Sequence, residues 1–289
     1  MKRLSILLLA GAASAPLYAA EPLQLQVYNP GEASIFPVSS EIISGPHEVV
    51  LIDAQFQRND AEELVRRIKA TGKKLTTVFI SQSDPDYYFG LDTIKQAFPQ
   101  AKIVATAATV ALINQTKDHK LAFWGPKMGD NAPKSLIVPQ VLAGSSFTVD
   151  GQIVEVQGSH GAEPQNGWLW VPALKTVLGG VQVSGDNIHV WLADAQTKAA
   201  REVWQQKLQA IAALQPQRVI PGHFLPGAAE SLESVSFTLN YLKKAEETLT
   251  QTKDAVAFTE AMKASYPALK DVSSLELSAK VLKGEMQWP

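Results

Sequence analysis

Residues 75–91 read Leu75-Thr76-Thr77-Val78-Phe79-Ile80-Ser81-Gln82-Ser83-Asp84-Pro85-Asp86-Tyr87-Tyr88-Phe89-Gly90-Leu91. The first six residues of this stretch are apolar or β-branched and predict a buried strand. The polar residues that follow predict a loop leading into a helix that continues to about residue 98. Asp84 before Pro85 is also typical of a helix start, with Asp at the N-cap and Pro at the first helical position.

The same alternation of strand and helix continues on both sides of this stretch. Residues 48–53 form an apolar run ending at an acid, residues 59–70 have helical spacing, and residues 101–105 predict a strand before a helix at 107–115. Strands near 146–149, 152–157, 168–171 and 174–178 follow with little helix between them. Helices at 195–214 and 229–250 then flank a short strand at 218–220, with Asp194 as the expected N-cap of the first. The pattern predicts an α/β fold.

A second motif, Ile220-Pro221-Gly222-His223, follows the last predicted strand. With this motif, Val50-Leu51-Ile52-Asp53 and the Asp86 loop, the chain resembles the metallo-β-lactamase superfamily over nearly all of its length after residue 20. That family carries a His-x-His-x-Asp-His motif after the second strand, with further ligands in a Gly-His, a Gly-Asp and a final Pro-Gly-His. The resemblance implies a four-layer αββα sandwich, with 21–289 as one domain that has a helical C-terminal part.

The core motif departs from this pattern. Asp86 and His223 keep their positions, but the three histidine positions of the core motif are occupied by Gln82, Asp84 and Tyr87. The histidine of the Gly-His motif corresponds either to Ser159, which directly follows Gly158, or to His160 one residue later. Val181 stands at the position of the aspartate in the family's Gly-Asp motif, the acid that bridges the two metals. Asp186, five residues later, is an alternative. The usual two-metal, nitrogen-rich ligand set is therefore incomplete.

The remaining donors could still form one oxygen-rich site. Asp84, Asp86 and His223, with His160 as a fourth candidate, would suit a single Zn²⁺, Mn²⁺ or Fe²⁺ ion, and the alternative is that no metal binds. A metal would activate water for hydrolysis of a small ester, lactone or amide, with Asp86 orienting the water. Asp84 could instead serve only as a helix cap.

Other residues around the motif are candidates for contact with a small molecule. Tyr87 and His189 are expected to assist catalysis, and Gln82 and Trp191 to contact the substrate. A second hypothesis is a non-catalytic descendant that binds a small molecule and has lost its metals.

Composition sets further limits on function. The chain has no cysteine, which excludes disulfides and thiolate metal sites. Its 26 basic and 28 acidic residues give a slightly negative net charge, which does not favour binding of nucleic acid. Lys2 and Arg3, an apolar run at 4–12 and small residues up to Ala20 predict a signal peptide over residues 1–20. The run is too short to span a bilayer, so we expect a periplasmic or secreted protein without a membrane span.

Overall fold

Two β-sheets stacked face to face form the centre of the molecule in a computed structural model, which describes residues 21–288. The predicted signal peptide lies outside these residues. The first sheet has strand order β1-β2-β3-β4-β5-β6; its first three strands are antiparallel and the rest run parallel to β3. The strands are β1 (Gln24–Tyr28), β2 (Ser40–Ser44), β3 (Glu48–Ile52), β4 (Lys74–Ile80), β5 (Lys102–Ala105) and β6 (Gln140–Val141).

The second sheet has strand order β11-β10-β9-β8-β7 and is antiparallel except for its parallel β10–β11 pair. Its strands are β7 (Ser146–Val149), β8 (Gln152–Gln157), β9 (Trp168–Val171), β10 (Thr176–Leu178) and β11 (Arg218–Val219).

Eight helices accompany the sheets within residues 21–288. They are α1 (Arg58–Ala70), α2 (Pro85–Tyr88), α3 (Leu91–Ala97), α4 (Ala107–Met128), α5 (Lys198–Ala213), α6 (Leu232–Gln251), α7 (Ala255–Ser265) and α8 (Val272–Leu282). None of them is long and apolar enough to cross a membrane.

Side chains that point alternately to the two faces of each sheet divide the core into three apolar layers. In β3, Val49 and Leu51 join a cluster with Leu64 of α1, while Val50 and Ile52 face the second sheet. In the second sheet, the outward-facing side chains pack against helices α5 to α8. Successive side chains of a strand point to opposite faces, so each sheet contributes to two layers. The resulting order, helices, sheet, sheet, helices, is the predicted four-layer αββα sandwich.

Three predicted helix boundaries are wrong, among them the start of α6, which lies at Leu232 instead of 229. Helix α4 runs to Met128, 13 residues beyond the predicted end at 115, and its second half reaches the edge where the functional residues collect. Helix α5 begins at Lys198, and its N-cap is Thr197, whose hydroxyl accepts from the Ala200 N–H. Asp194 is therefore not the cap, and its side chain is available for other contacts.

Candidate functional site

The carboxyl ends of β3, β4 and β10 meet at one edge of the sandwich. Asp53 follows β3, and its two carboxyl oxygens accept hydrogen bonds from the Ser81 N–H (2.8 Å) and hydroxyl (2.5 Å) just after β4. The Ser81 hydroxyl in turn accepts from the Gly180 N–H at 2.8 Å, which joins the two sheets. Burial raises the pKa of Asp53 to about 8, against the opposing effect of the bonds from Ser81, so the carboxyl is largely protonated at neutral pH.

Asp86 and His223, 137 residues apart, form a close pair above this network. The first turn of α2 presents Asp86, and the loop after β11 presents His223, whose Nε2 lies 2.6 Å from Oδ2 of Asp86. Asp86 is buried, and the His223 side chain is 25% exposed. Burial opposes protonation of His223, but the hydrogen bond and negative charge of Asp86 outweigh it and raise the pKa of the imidazole.

Tyr87 lies behind this pair and fixes the other side of the imidazole. Its hydroxyl is 3.4 Å from Nδ1 of His223 and 3.4 Å from the Gly180 carbonyl oxygen. The residue is fully buried, and burial raises its pKa well above the ordinary value. A side chain at Gly222 would not fit here, since a Cβ would lie 2.1 Å from the Gly180 oxygen and 2.8 Å from the Tyr87 hydroxyl. Tyr87 is therefore a neutral support for His223.

Asp84 has a partner that the sequence did not suggest. Lys120 of α4 places its Nζ 2.8 Å from Oδ1 of Asp84, and both side chains are mostly buried. Burial lowers the pKa of Lys120, but Asp84 more than compensates and the pKa is raised, so the ammonium stays charged. Asp84 does occupy the N-cap position of α2, but its side chain makes no capping hydrogen bond. Its carboxylate is instead committed to an ion pair.

Both ion pairs lie at the side of a cavity of about 860 Å³. Most of its wall is apolar, and α4, the segment between β10 and α5, and the end of the chain up to Trp288 all contribute to it. The aromatic residues of the wall are Phe36, Phe123, Trp124, Trp191, Trp204 and Trp288. A large apolar cavity with a few convergent polar groups is the usual form of a small-molecule site.

Three other predicted site residues also line this cavity. Gln82 donates to Oδ1 of Asn166 at 2.9 Å and accepts from the Ser83 N–H at 2.7 Å. His189 is buried, its Nδ1 lies 3.0 Å from the Tyr241 hydroxyl, and burial lowers its pKa, which favours the neutral ring. Trp191 is partly exposed and donates from its indole to Asp194. All three therefore lie in the wall of the cavity, and their contact with a ligand stays a prediction.

The alternatives for the missing ligands do not reach the cavity. His160 is exposed on the loop after β8 and, like Ser159, is absent from the cavity wall. Oδ1 of Asp186 accepts from the Ala229 N–H at 3.0 Å, where it supports a loop. Val181, which stands at the sequence position of the bridging acid, does line the cavity.

Known proteins with a similar sequence or structure have the same fold. The sequence profile of the metallo-β-lactamase superfamily matches residues 34–223, more than half of the chain. The chain belongs to the metallo-β-lactamase superfamily. This confirms the family resemblance on which the sequence analysis relied.

Similar proteins show how far this superfamily member has diverged. A metallo-β-lactamase from Pontibacter korlensis shares the fold with a TM-score of 0.56 and 20% identity, over 78% of this chain and 97% of that one. The DIM-1 metallo-β-lactamase gives a TM-score of 0.56 and 21% identity, over 79% and 96%. The uncharacterized protein YobT of Bacillus subtilis (strain 168) is 23% identical over 214 residues, covering 62% of this chain and 91% of YobT. These likenesses support the fold and do not extend to activity.

The residues at this edge do not fit the divalent metals that the superfamily usually binds. Lys120 holds the Asp84 carboxylate and thereby places a cation beside one of the expected ligands. His223 points its Nε2 at Asp86. Within residues 21–288, no three His, Asp or Glu side chains are grouped as metal ligands.

Proposed function

We propose that this superfamily member binds a small, largely apolar organic molecule in its cavity, using its own side chains rather than a metal. The observation that carries this proposal is the cavity of about 860 Å³, beside which two carboxylates are already bound in ion pairs, Asp86 with His223 and Asp84 with Lys120. An ion pair satisfies charges that would otherwise need water or metal. The apolar wall provides binding through burial of apolar ligand surface.

A calorimetric titration with 4-phenylbutan-1-ol, carried out on chelator-treated protein, tests this proposal. We expect binding that is independent of added zinc. Ala122→Trp should weaken binding, because Ala122 is an exposed residue of α4 that lines the cavity. Ala111→Trp is the matched control, since Ala111 is exposed on the same helix but outside the cavity. Absence of binding, or binding only after zinc is added, would overturn the proposal.

A second candidate function is hydrolysis of a small ester, lactone or amide by the Asp86–His223 pair. The observation that favours it is that His223 is partly exposed beside the cavity and has a raised pKa. Asp86 would take a proton from the water that attacks the carbonyl carbon, and protonated His223 would give its proton to the alcohol or amine that leaves. Hydrolysis of ethyl butyrate, whose alkoxide leaving group needs this proton, would support this function if it survives chelation, is lost in His223→Asn and is kept in His47→Asn. His47 is exposed and remote from the cavity wall.

We also propose that the chain is exported to the periplasm or secreted, on the basis of the signal-peptide pattern in residues 1–20. Mass spectrometry of the protein from its native host should show a mature chain that starts at Ala20 or Glu21. A mature chain that retains Met1 would contradict the proposal.

A further inference from the structure

One carboxylate of the cavity wall is surrounded by tryptophans. Asp194 accepts hydrogen bonds from the indole N–H of Trp191 (2.5 Å) and of Trp288 (2.7 Å). The two indoles meet edge to face, with ring centroids 5.4 Å apart. We call these three residues the Trp–Asp cluster. All of them line the cavity, and the Asp194 side chain is exposed there, so a ligand can reach it.

Asp194 differs from the other carboxylates of the cavity in what neutralises it. Asp84 and Asp86 have Lys120 and His223 as partners. Asp271 caps α8, where it accepts from the Ser274 N–H and hydroxyl. Asp194 forms no ion pair with any residue in 21–288, and the two donors bound to it are uncharged. The cavity wall therefore contains an accessible carboxyl group that has no fixed counter-ion when it is ionised.

Tryptophan faces and a carboxylate together recognise a particular ligand chemistry. An ammonium group over the face of Trp is attracted by the quadrupole of the ring, and this attraction grows when the group is desolvated. An adjacent carboxylate adds charge attraction that is weakly screened inside a cavity. A ligand carboxylate or phosphate would meet repulsion from Asp194 instead.

We propose that the ligand of this cavity is an organic cation, with an ammonium group on an apolar body, and that the Trp–Asp cluster holds the ammonium. The inference rests on the proposed binding function and names its ligand class. The apolar body would lie along the aromatic wall, and Asp194 would be the counter-ion. Trp191 would contribute its ring face in addition to its hydrogen bond.

Three probes that share one apolar body separate this proposal from the more general one. They are (4-phenylbutyl)trimethylammonium, 4-phenylbutan-1-ol and 4-phenylbutanoate, each titrated calorimetrically. We expect the ammonium to bind about tenfold more tightly than the alcohol, as a desolvated cation–π contact would produce, and the carboxylate to bind most weakly. Asp194→Asn should reduce the preference for the ammonium, leaving only the part due to the tryptophan faces, and should leave affinity for the alcohol unchanged.

Two further variants control for structural effects of Asp194→Asn. Asp130→Asn changes the net charge equally at an exposed residue outside the cavity wall and should keep the preference. Trp191→Leu keeps an apolar side chain but removes the ring, and it should reduce affinity for the ammonium more than for the alcohol. Unfolding curves establish that each variant is folded.

The outcomes that overturn the inference are distinct from failure of the proposed function. If the alcohol binds as tightly as the ammonium, or if Asp194→Asn weakens all three probes equally, Asp194 only fastens Trp288 in place. The cavity would then still be a binding site for apolar molecules. If none of the probes binds, the proposed function fails and this inference fails with it.

Discussion

Nζ of Lys120 lies 2.8 Å from Oδ1 of Asp84, at a position where the superfamily motif has a histidine ligand. The pair joins the middle of α4 to the start of α2, 36 residues apart. An ammonium bound to this carboxylate supplies locally the positive charge that a metal ion supplies in relatives with a complete motif. This ion pair is the structural basis for proposing that the cavity works without a metal.

Lys120→Met should destabilise the protein by about 1–3 kcal/mol, because it leaves the mostly buried Asp84 carboxylate without its charged partner. Urea unfolding at neutral pH measures the change. Adding Asp84→Asn to Lys120→Met should recover part of the loss, since residues in direct contact are coupled. Lys244→Met is the control: Lys244 forms a more exposed pair with Glu247 on α6, and its loss should cost about 0–1 kcal/mol. Strictly additive effects of the Lys120 and Asp84 changes would show that the pair is unimportant.

Asp53 should make the protein less stable as the pH rises. Its pKa is about 8 in the folded protein, compared with about 3.9 in an unfolded chain. The folded state therefore holds a proton that the unfolded state has released between these values. Stability from this group is complete below pH 4 and is lost as the pH rises through 8, by up to about 1.4 kcal/mol per pH unit.

The variant Asp53→Asn tests this dependence, because asparagine is similar in shape and charge to the protonated carboxyl. It also tolerates the left-handed backbone conformation of Asp53, whose φ is 59°. The unfolding free energy of the variant should decline less between pH 5 and 8 than that of the wild type. A decline of equal slope in both proteins would show that Asp53 is ionised in the folded state.

Binding of the ammonium probe should strengthen as the pH rises. Desolvation of the carboxylate and the negative charge of Asp84 raise the pKa of Asp194 to about 7. The hydrogen bonds from the two indoles and the positive charge of Lys120 oppose this rise. A cation binds the ionised carboxylate better, so its affinity should increase from pH 6 to 8 and then level off. Glu163 and Lys207, which share a small adjoining pocket with Asp194, are the other charged groups nearby. Calorimetry should show little pH dependence for the alcohol, and Asp194→Asn should remove the trend for the ammonium. Equal pH dependence in the variant would exclude Asp194 as its origin.

Much of the fold could be predicted from local patterns. Strands β7, β8 and β9 match their predicted bounds, because alternating apolar residues separated by turns specify them locally. Strands β1, β2 and β6 were not predicted. The two residues of β6 are both exposed, and β1 is largely accessible, so neither has a strong apolar signal. Helix α4 was predicted too short because its second half has no continuous apolar face; Thr116, Lys120 and Trp124 there line the cavity instead.

The candidate site was predictable mainly where a family motif marks it; His189 and Trp191, which also line the cavity, were predicted from their place shortly before helix α5. The motif identified Asp86 and His223 as site residues, and the structure places them in contact. The Lys120–Asp84 and Trp288–Asp194 contacts were not predicted, because they span 36 and 94 residues of sequence and depend on tertiary packing. The spacing of four residues between Thr116, Lys120 and Trp124 was an available signal, since it places them on one helix face.

Whether the cavity works without a metal is best measured by the metal content of protein purified without an affinity tag, equilibrated with excess zinc and then freed of unbound metal. Elemental analysis should give well below one zinc ion per chain, because Lys120 holds Asp84 and His223 is directed at Asp86. One or two zinc ions per chain, retained in the wild type and lost in His223→Ala, would contradict the central claim that this cavity binds its ligand without a metal.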